Sequence, residues 1–128
     1  MWNDLKVSLS ALDANRHWMQ VVTNNLANAR TVKTPEGGPY KRQTIAFERL
    51  TEEEGGGVKV GQVQQEERTP ELKYEPGSPL ADAKGMVAYP NIDLAQEMTE
   101  LTAAGRAYEA NAVALSNTKE MIKRALEI

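Results

Sequence analysis

Apolar residues at the start of the chain recur at helical spacing. Leu5, Leu9, Leu12, Met19, Val22 and Leu26 stand three, four or seven residues apart, which aligns them along one stripe of an α-helix. No Pro or Gly interrupts the chain before Pro35. The pattern therefore predicts one helix from about Asn3 to Asn28, roughly 39 Å long. Asn24, Asn25 and Asn28 crowd its last turn, and Asn is the non-Gly residue that best tolerates a left-handed helix end. These three are expected to cap the helix and to bond either the loop entering PEGGPYKR or a neighbouring subunit.

The middle of the chain, about Thr31 to Pro90, holds all six Pro and every Gly except Gly105. KRQTIAFERL, GVKVGQVQQEER and ELKY read as short strands separated by turns. Val58 and Val60 share a parity that Val63 breaks, which predicts a bulge near Gly61. Gly55, Gly56 and Gly57 are expected at the tip joining the first two strands. Asp82 to Gly85 has Asp at the first place and Gly at the fourth, the signature of a type I turn.

The helical signal returns from Asn91 to the end. Leu94, Met98, Leu101, Gly105, Tyr108, Ala112, Leu115, Lys119, Ile122 and Leu126 alternate four and three residues apart without a break, the coiled-coil pattern. Asp93 with Gln96 resembles a capping box, and Glu97 and Glu100 near the start suit the helix dipole, as do Lys119, Lys123 and Arg124 near the end. About 35 helical residues would span roughly 52 Å. Ala103, Ala104, Gly105, Ala107, Ala110, Ala112 and Ala114 would let neighbouring helices come close.

These elements predict an α+β chain. Two long antiparallel, coiled-coil-like terminal helices (1–30 and 91–128) flank a small β-rich insertion (31–90). A helix of about 52 Å against one of about 39 Å leaves its last three turns, with Leu115, Ile122 and Leu126, without a cover in the subunit. Helix length beyond what the fold can bury implies partners.

Composition removes several functions. Among 128 residues the net charge is −3, whereas a nucleic-acid surface needs a basic face. No apolar run approaches the roughly 20 residues that span a bilayer. Asp4, Lys6 and Asp13 interrupt any leader-like stretch, so residence in the cytoplasm or export without a cleaved leader is expected. The chain has no Cys and one His, His17, placed mid-helix beside Trp18. That leaves no nucleophilic triad and no zinc set. Glu97 and Glu100 stand at i, i+3 but lack a His to complete a metal site. Glu52, Glu53 and Glu54 read as a solvated loop, and the glycines after them precede a strand rather than a phosphate-binding helix. No catalytic, metal or cofactor site is expected, and the chain reads as non-enzymatic.

TNNLANARTVKTPEGGPYKR resembles the Asn-Leu-Ala-Asn signature that closes the first helix in the flagellar rod and hook axial protein family. SALDANRHWM is similar to that family's first helix, and MVAYPNIDLAQEMTELTAAGRAYEANAVALSNTKEMIKRALEI to its C-terminal helix. PNID together with YEAN and KEM points to a proximal-rod member. The length leaves no room for the larger middle of hook and distal-rod proteins.

The resemblance implies a structural subunit exported through the flagellar apparatus without signal cleavage and assembled in the periplasm. Its implied partners are copies of itself, other rod proteins, membrane-ring and rod-adaptor components, and the export apparatus. It further implies that assembly contacts involve Leu5, Leu9, Leu12, Met19, Val22, Asn24, Asn25, Leu26 and Asn28 of the first helix. On the second they involve Leu94, Met98, Leu101, Tyr108, Asn111, Leu115, Ile122 and Leu126. A second proximal-rod subunit of the family is the nearest alternative. The other is a cytoplasmic coiled-coil adaptor forming a closed oligomer, which would have no reason to carry the Asn-rich signature joined to PEGGPYKR.

Overall fold

The computed structural model describes residues 2–127. Two helices dominate it, α1 at Trp2–Ala27 and α2 at Leu94–Glu127. Asp93 starts α2: its Oδ1 accepts from the Ala95 and Gln96 amides at 3.0 and 3.4 Å, and its carbonyl takes the Glu97 N–H. Asn91 and Ile92 lie outside the helix. At the end of α1 the left-handed conformation expected of the Asn residues does not occur, since no described non-Gly residue has a positive φ. The chain leaves instead through successive turns, Ala29 N–H to Leu26 O and Thr31 N–H to Asn28 O. The Asn28 side chain bonds back to the Asn24 carbonyl at 2.8 Å.

The helices run antiparallel. Asn25 near the end of α1 meets Glu97 near the start of α2, whereas Ala14 and Asn15 line a common cleft with Asn111 further along. Yet the most deeply buried residues of α2, Glu97 and Ala104, are not those of the regular stripe. Leu101, Leu115 and Ile122 are half-buried as that pattern requires, but between them the inward positions are Glu97, Ala104, Asn111 and Thr118. Met98, Gly105, Ala112 and Lys119 each stand one residue further on, a rotation of about 100°. Leu94 and Met98 are consequently 56% and 53% exposed. The cause is electrostatic: Glu97 is drawn inward to an arginine, and Ala104, with no exposed surface, lets the helices close over it.

The overhang of α2 is shorter than the lengths suggested. Leu115 and Ile122 are half-buried within the subunit, and uninterrupted exposure begins at Lys123. Leu126 is 77% exposed.

Between the helices lie two separate antiparallel hairpins. The first joins β1 (Gln43–Arg49) to β2 (Val58–Gln65). Ile45 pairs with Val63 but Phe47 with Val60, so Ala46 faces both Gly61 and Gln62, the bulge anticipated there. This hairpin lies along α1, with Phe47 edge-on to Trp18 at 6.1 Å between ring centroids. At its tip Gly55, Gly56 and Gly57 take φ of +98°, +71° and +91°. There the Val58 N–H donates to Ser10 Oγ at 3.1 Å.

The second hairpin pairs β3 (Glu71–Tyr74) with β4 (Met86–Tyr89). Sequence reasoning assigned MVAY to the run leading into the last helix, yet it is a strand. The Asp82–Gly85 turn aligns it, with Gly85 N–H on Asp82 O at 3.0 Å and Asp82 Oδ1 accepting from the Lys84 and Met86 amides. Val87 is buried on the loop that follows α1, lining one cavity with Val32, Pro35 and Pro39.

Among the described residues the buried apolar side chains are only Ala14, Val21, Val22, Val87, Pro90 and Ala104. A compact monomer of 14.1 kDa exposes about 6,700 Å² by the scaling of surface with mass. This chain exposes 8881 Å².

The tip gives a first test. Gly56 and Gly57 share a positive φ, but a Cβ on Gly57 would lie 2.4 Å from Ser10 Oγ, whereas one on Gly56 meets nothing closer than 3.8 Å. Gly56→Ala should therefore cost about 1–2 kcal/mol from backbone strain alone. Gly57→Ala should cost clearly more in urea unfolding, since it also displaces the tip from α1.

Candidate assembly site

Asn25 occupies the last turn of α1 with almost no exposed surface. Its amide group closes on the backbone of β1 like a neighbouring strand residue. Nδ2 donates to the Gln43 carbonyl at 2.9 Å, and Oδ1 accepts from the Gln43 N–H at 2.8 Å. Oδ1 also accepts from the Tyr40 hydroxyl at 2.9 Å, and Nδ2 reaches Glu97 Oε2 at 3.3 Å. Every hydrogen-bonding role of the amide is used, and Leu or Asp at this position could not reproduce the set.

Glu97 is fully buried and Arg42 is 7% exposed. The Arg42 fork reaches three carboxylates, with Nε on Glu97, Nη1 on Glu66 at 2.7 Å and Nη2 on Glu100 at 3.0 Å. Arg68 Nε adds a bond to the other oxygen of Glu66, also at 3.0 Å. Burial alone lowers the Arg42 pKa, but the hydrogen bonds to Glu97 and Glu66 and the nearby negative charge more than offset it, holding the guanidinium charged. The bond from Arg42 holds the Glu66 carboxyl below its ordinary range against the opposing effect of burial. Burial, and then the Glu97 charge, push the Tyr40 hydroxyl up.

This node joins the end of α1, the entry to β1, the exit of β2 and the start of α2. Sequence reasoning missed it, reading Glu97 and Glu100 as acids placed for the helix dipole. The available signal was their i, i+3 spacing beside the inward Leu101. Nothing in the spacing pointed to Arg42 as their partner.

Of the residues assigned to assembly from the resemblance, Val22 and Asn25 lie in the subunit's own interior. Leu5, Leu12, Met19, Leu26 and Asn28 are half-buried on α1, while Leu9 and Asn24 are exposed. On α2, Leu101, Asn111, Leu115 and Ile122 are half-buried along the seam. Leu94, Met98, Tyr108 and Leu126 are exposed. What the fold leaves uncovered on α2 is thus one flank of a continuous apolar stripe. Gly105 stands in the middle of that flank, and a Cβ added there would meet nothing in the subunit.

The fold is thus a pair of long terminal helices around a small β insertion, with part of one α2 flank exposed. Residues 83–128 match the family described as flagellar basal body rod FlgEFG protein C-terminal. Over nearly its whole length the chain is similar to relatives named flagellar basal-body rod protein FlgC. It is 40% identical to that of Escherichia coli, covering 98% of this chain and 96% of the relative. Identity is 37% with that of Bacillus subtilis (99% and 97% covered) and 35% with that of Borreliella burgdorferi (100% and 97%). The chain belongs to the FlgC family of flagellar basal-body rod proteins. The related proximal-rod subunit FlgB is not favoured by these matches.

Two predictions come from the node. Arg42→Ala strands a buried carboxylate and should destabilise the subunit by about 3–5 kcal/mol. The urea midpoint should recover in part when Glu97→Gln is added.

The second concerns pH. Glu66 titrates below its unfolded value near 4.5, so its contribution is present above that value and is lost as pH falls through the folded pKa. Tyr40 titrates above its unfolded value of 10.0, so its contribution is present below 10.0 and is lost as pH rises through the folded pKa. The unfolding midpoint should be flat between these limits and fall on both sides. Tyr40→Phe should remove part of the alkaline fall.

Proposed function

We propose that this chain is a structural subunit of the proximal part of the flagellar rod, polymerising through α1 and α2 to build the drive shaft. The observation that carries the reading is the bare flank of α2. An apolar stripe that runs the length of the helix is closed by the fold along one edge only. In this reading the segments 1–30 and 91–128 form the axial core, and 31–90 faces outward. Contacts of this kind are heterologous and do not close, which generates helical assemblies rather than rings.

Several features support the reading. The surface beyond that of a compact monomer is about 2,100 Å² per chain, against the roughly 600–1,000 Å² that each partner of a standard protein–protein interface buries. Gly105 costs an isolated helix about 0.5–1 kcal/mol relative to Ala, and no contact within the subunit requires it. A second helix crossing at this point would. Export through the flagellar apparatus without a cleaved leader, and contact with membrane-ring and adaptor components, belong to the same reading. So does a role without catalysis.

Gly105 makes the reading testable with effects of opposite sign. Gly105→Ala should stabilise the isolated subunit by about 0.5–1 kcal/mol. Gly105→Leu should likewise leave it folded, yet block incorporation into basal bodies. Leu94→Asp with Met98→Asp, both on exposed positions, should move the unfolding free energy by no more than about 0.5 kcal/mol while abolishing assembly and swimming. Normal basal bodies in cells carrying Gly105→Leu or the double Asp variant would show that the flank is ordinary surface.

A further inference from the structure

The bare flank of α2 ends in a basic segment, and the hairpin tip presents an acidic one at the same height along the subunit. Gly56 and Gly57 lie against Val7 and Ser10 of α1. Because the helices are antiparallel, with Asn25 opposite Glu97 and Asn15 near Asn111, the first turns of α1 face the last turns of α2. Glu52, Glu53 and Glu54 at the tip are therefore level with the region of Lys119, Lys123 and Arg124. The two are nevertheless separate features of the molecule, since the β1–β2 hairpin lies along α1 and is bonded to α2 at its root, through Arg42, rather than at its tip.

The charges of both are largely unused by the fold. Among the described residues Glu52, Glu53, Lys119 and Lys123 have no ion-pair partner, and all four are exposed. Arg124 has only an exposed neighbour, Glu120, at 3.7 Å. Glu54 is committed to Thr51, which it bonds through both backbone N–H and hydroxyl. With Glu48, Arg49 and Lys59 included, the tip keeps two net negative charges. The end of α2 from Lys119 to Glu127 keeps one net positive charge.

We infer that the bare flank of α2 is covered by a second copy of this chain lying side by side at the same height, with the hairpin tip of one copy against the C-terminal turns of α2 in the next. The inference rests on the rod reading above and adds to it which surfaces meet. Acidic tip and basic helix end are complementary between copies and lie at one level, so a sideways displacement with little axial stagger brings them together. Repulsion between like charges in shifted registers fixes that height, a use of charge that sets register more than affinity. Leu126 and Met121, exposed beside the basic residues, supply apolar area to the same contact.

The chain has no cysteine, so the contact can be read by disulfide trapping. Two full-length variants, Glu53→Cys and Lys123→Cys, are expressed together in flagellated cells lacking the unaltered chain, and basal bodies are oxidised with copper phenanthroline. A mixed disulfide should form in high yield, since bridging needs Cα atoms within about 7 Å. Gln62→Cys, midway along the same hairpin, should give at least about tenfold less with Lys123→Cys.

A charge exchange provides the second readout. Glu52→Lys with Glu53→Lys should impair assembly, as should Lys119→Glu with Lys123→Glu. Cells expressing both variants together should recover, because each tip then meets a helix of opposite charge. Trapping no better than the Gln62→Cys control, or no recovery on co-expression, overturns the proposed contact. If that happens while the Leu94→Asp, Met98→Asp variant still fails to assemble, the rod reading stands and only the arrangement of copies is wrong. If that variant assembles normally as well, both fail.

Discussion

Glu97 carries a carboxylate with no exposed surface, and the structure around it depends on how that charge is accommodated. Taking a carboxylate out of water costs several kcal/mol even after relaxation. The cost is offset only because Arg42 meets it through Nε while the rest of the guanidinium fork engages Glu66 and Glu100. Asn25 then bonds the second oxygen of Glu97 and, through its own amide, fixes Gln43 of β1. Among the described residues no buried side-chain polar atom is left without a partner, so the network stabilises rather than strains. With so few apolar side chains buried, these bonds hold four chain segments in register where a larger core would do so by packing.

The node also decides what the molecule shows to the outside. An apolar heptad stripe would close over α1 with Leu94, Met98 and Leu101 inward if hydrophobic burial alone set the rotation of α2. Pairing Glu97 with Arg42 selects the adjacent stripe instead. The helix turns so that Leu101, Leu115 and Ile122 stay half-buried, as do Gly105 and Ala112, while Leu94 and Met98 are left exposed. Moving two large side chains such as Leu94 and Met98 back toward water forfeits about 1.5–3 kcal/mol each where burial would have been complete. The ion pair thus holds the subunit's segments together while leaving this apolar area exposed.

The sequence pattern made the two helices, the bulge at Gly61, the glycine tip and the Asp82 turn legible because each rests on local chemistry. Helical periodicity, a parity break, positive φ and an Asx bond are all encoded within a few residues. The fourth strand was missed since Met86–Tyr89 gains its partner only from β3, twelve residues or more upstream. Missing Glu97 has the same origin. A Glu within the first turn of a helix has a sufficient local explanation in the dipole, and only the fold brings Arg42 from 55 residues away. The Asn-rich end of α1 was correctly singled out and does bond the following loop, Asn25 to Tyr40 and Asn28 to Thr31, but without a left-handed cap. Asn25 works as an interior strand mimic, a role invisible until β1 lies beside it. The seam was off by one residue for half of its length, because periodicity gives the spacing of a stripe and not which edge of it the fold will use.

On the proposed reading, stability and assembly draw on different parts of the same chain. At one end of the helix pair, ionic and amide bonds seal α1, β1 and α2 together. Toward the other, β1 and β2 rest on α1 through Trp18, Phe47 and Ser10, and α2 continues past Ile122 into water. A subunit finished at both ends would bury its stripe fully and present no adhesive surface. One held by apolar packing alone would lose its fold whenever an assembly contact was altered. On that reading, placing the determinants of the fold in a polar node would let the apolar flank vary with the demands of a neighbour. By the same reading, a chain with so few buried apolar side chains among its described residues keeps a definite shape and still leaves apolar surface for a neighbour.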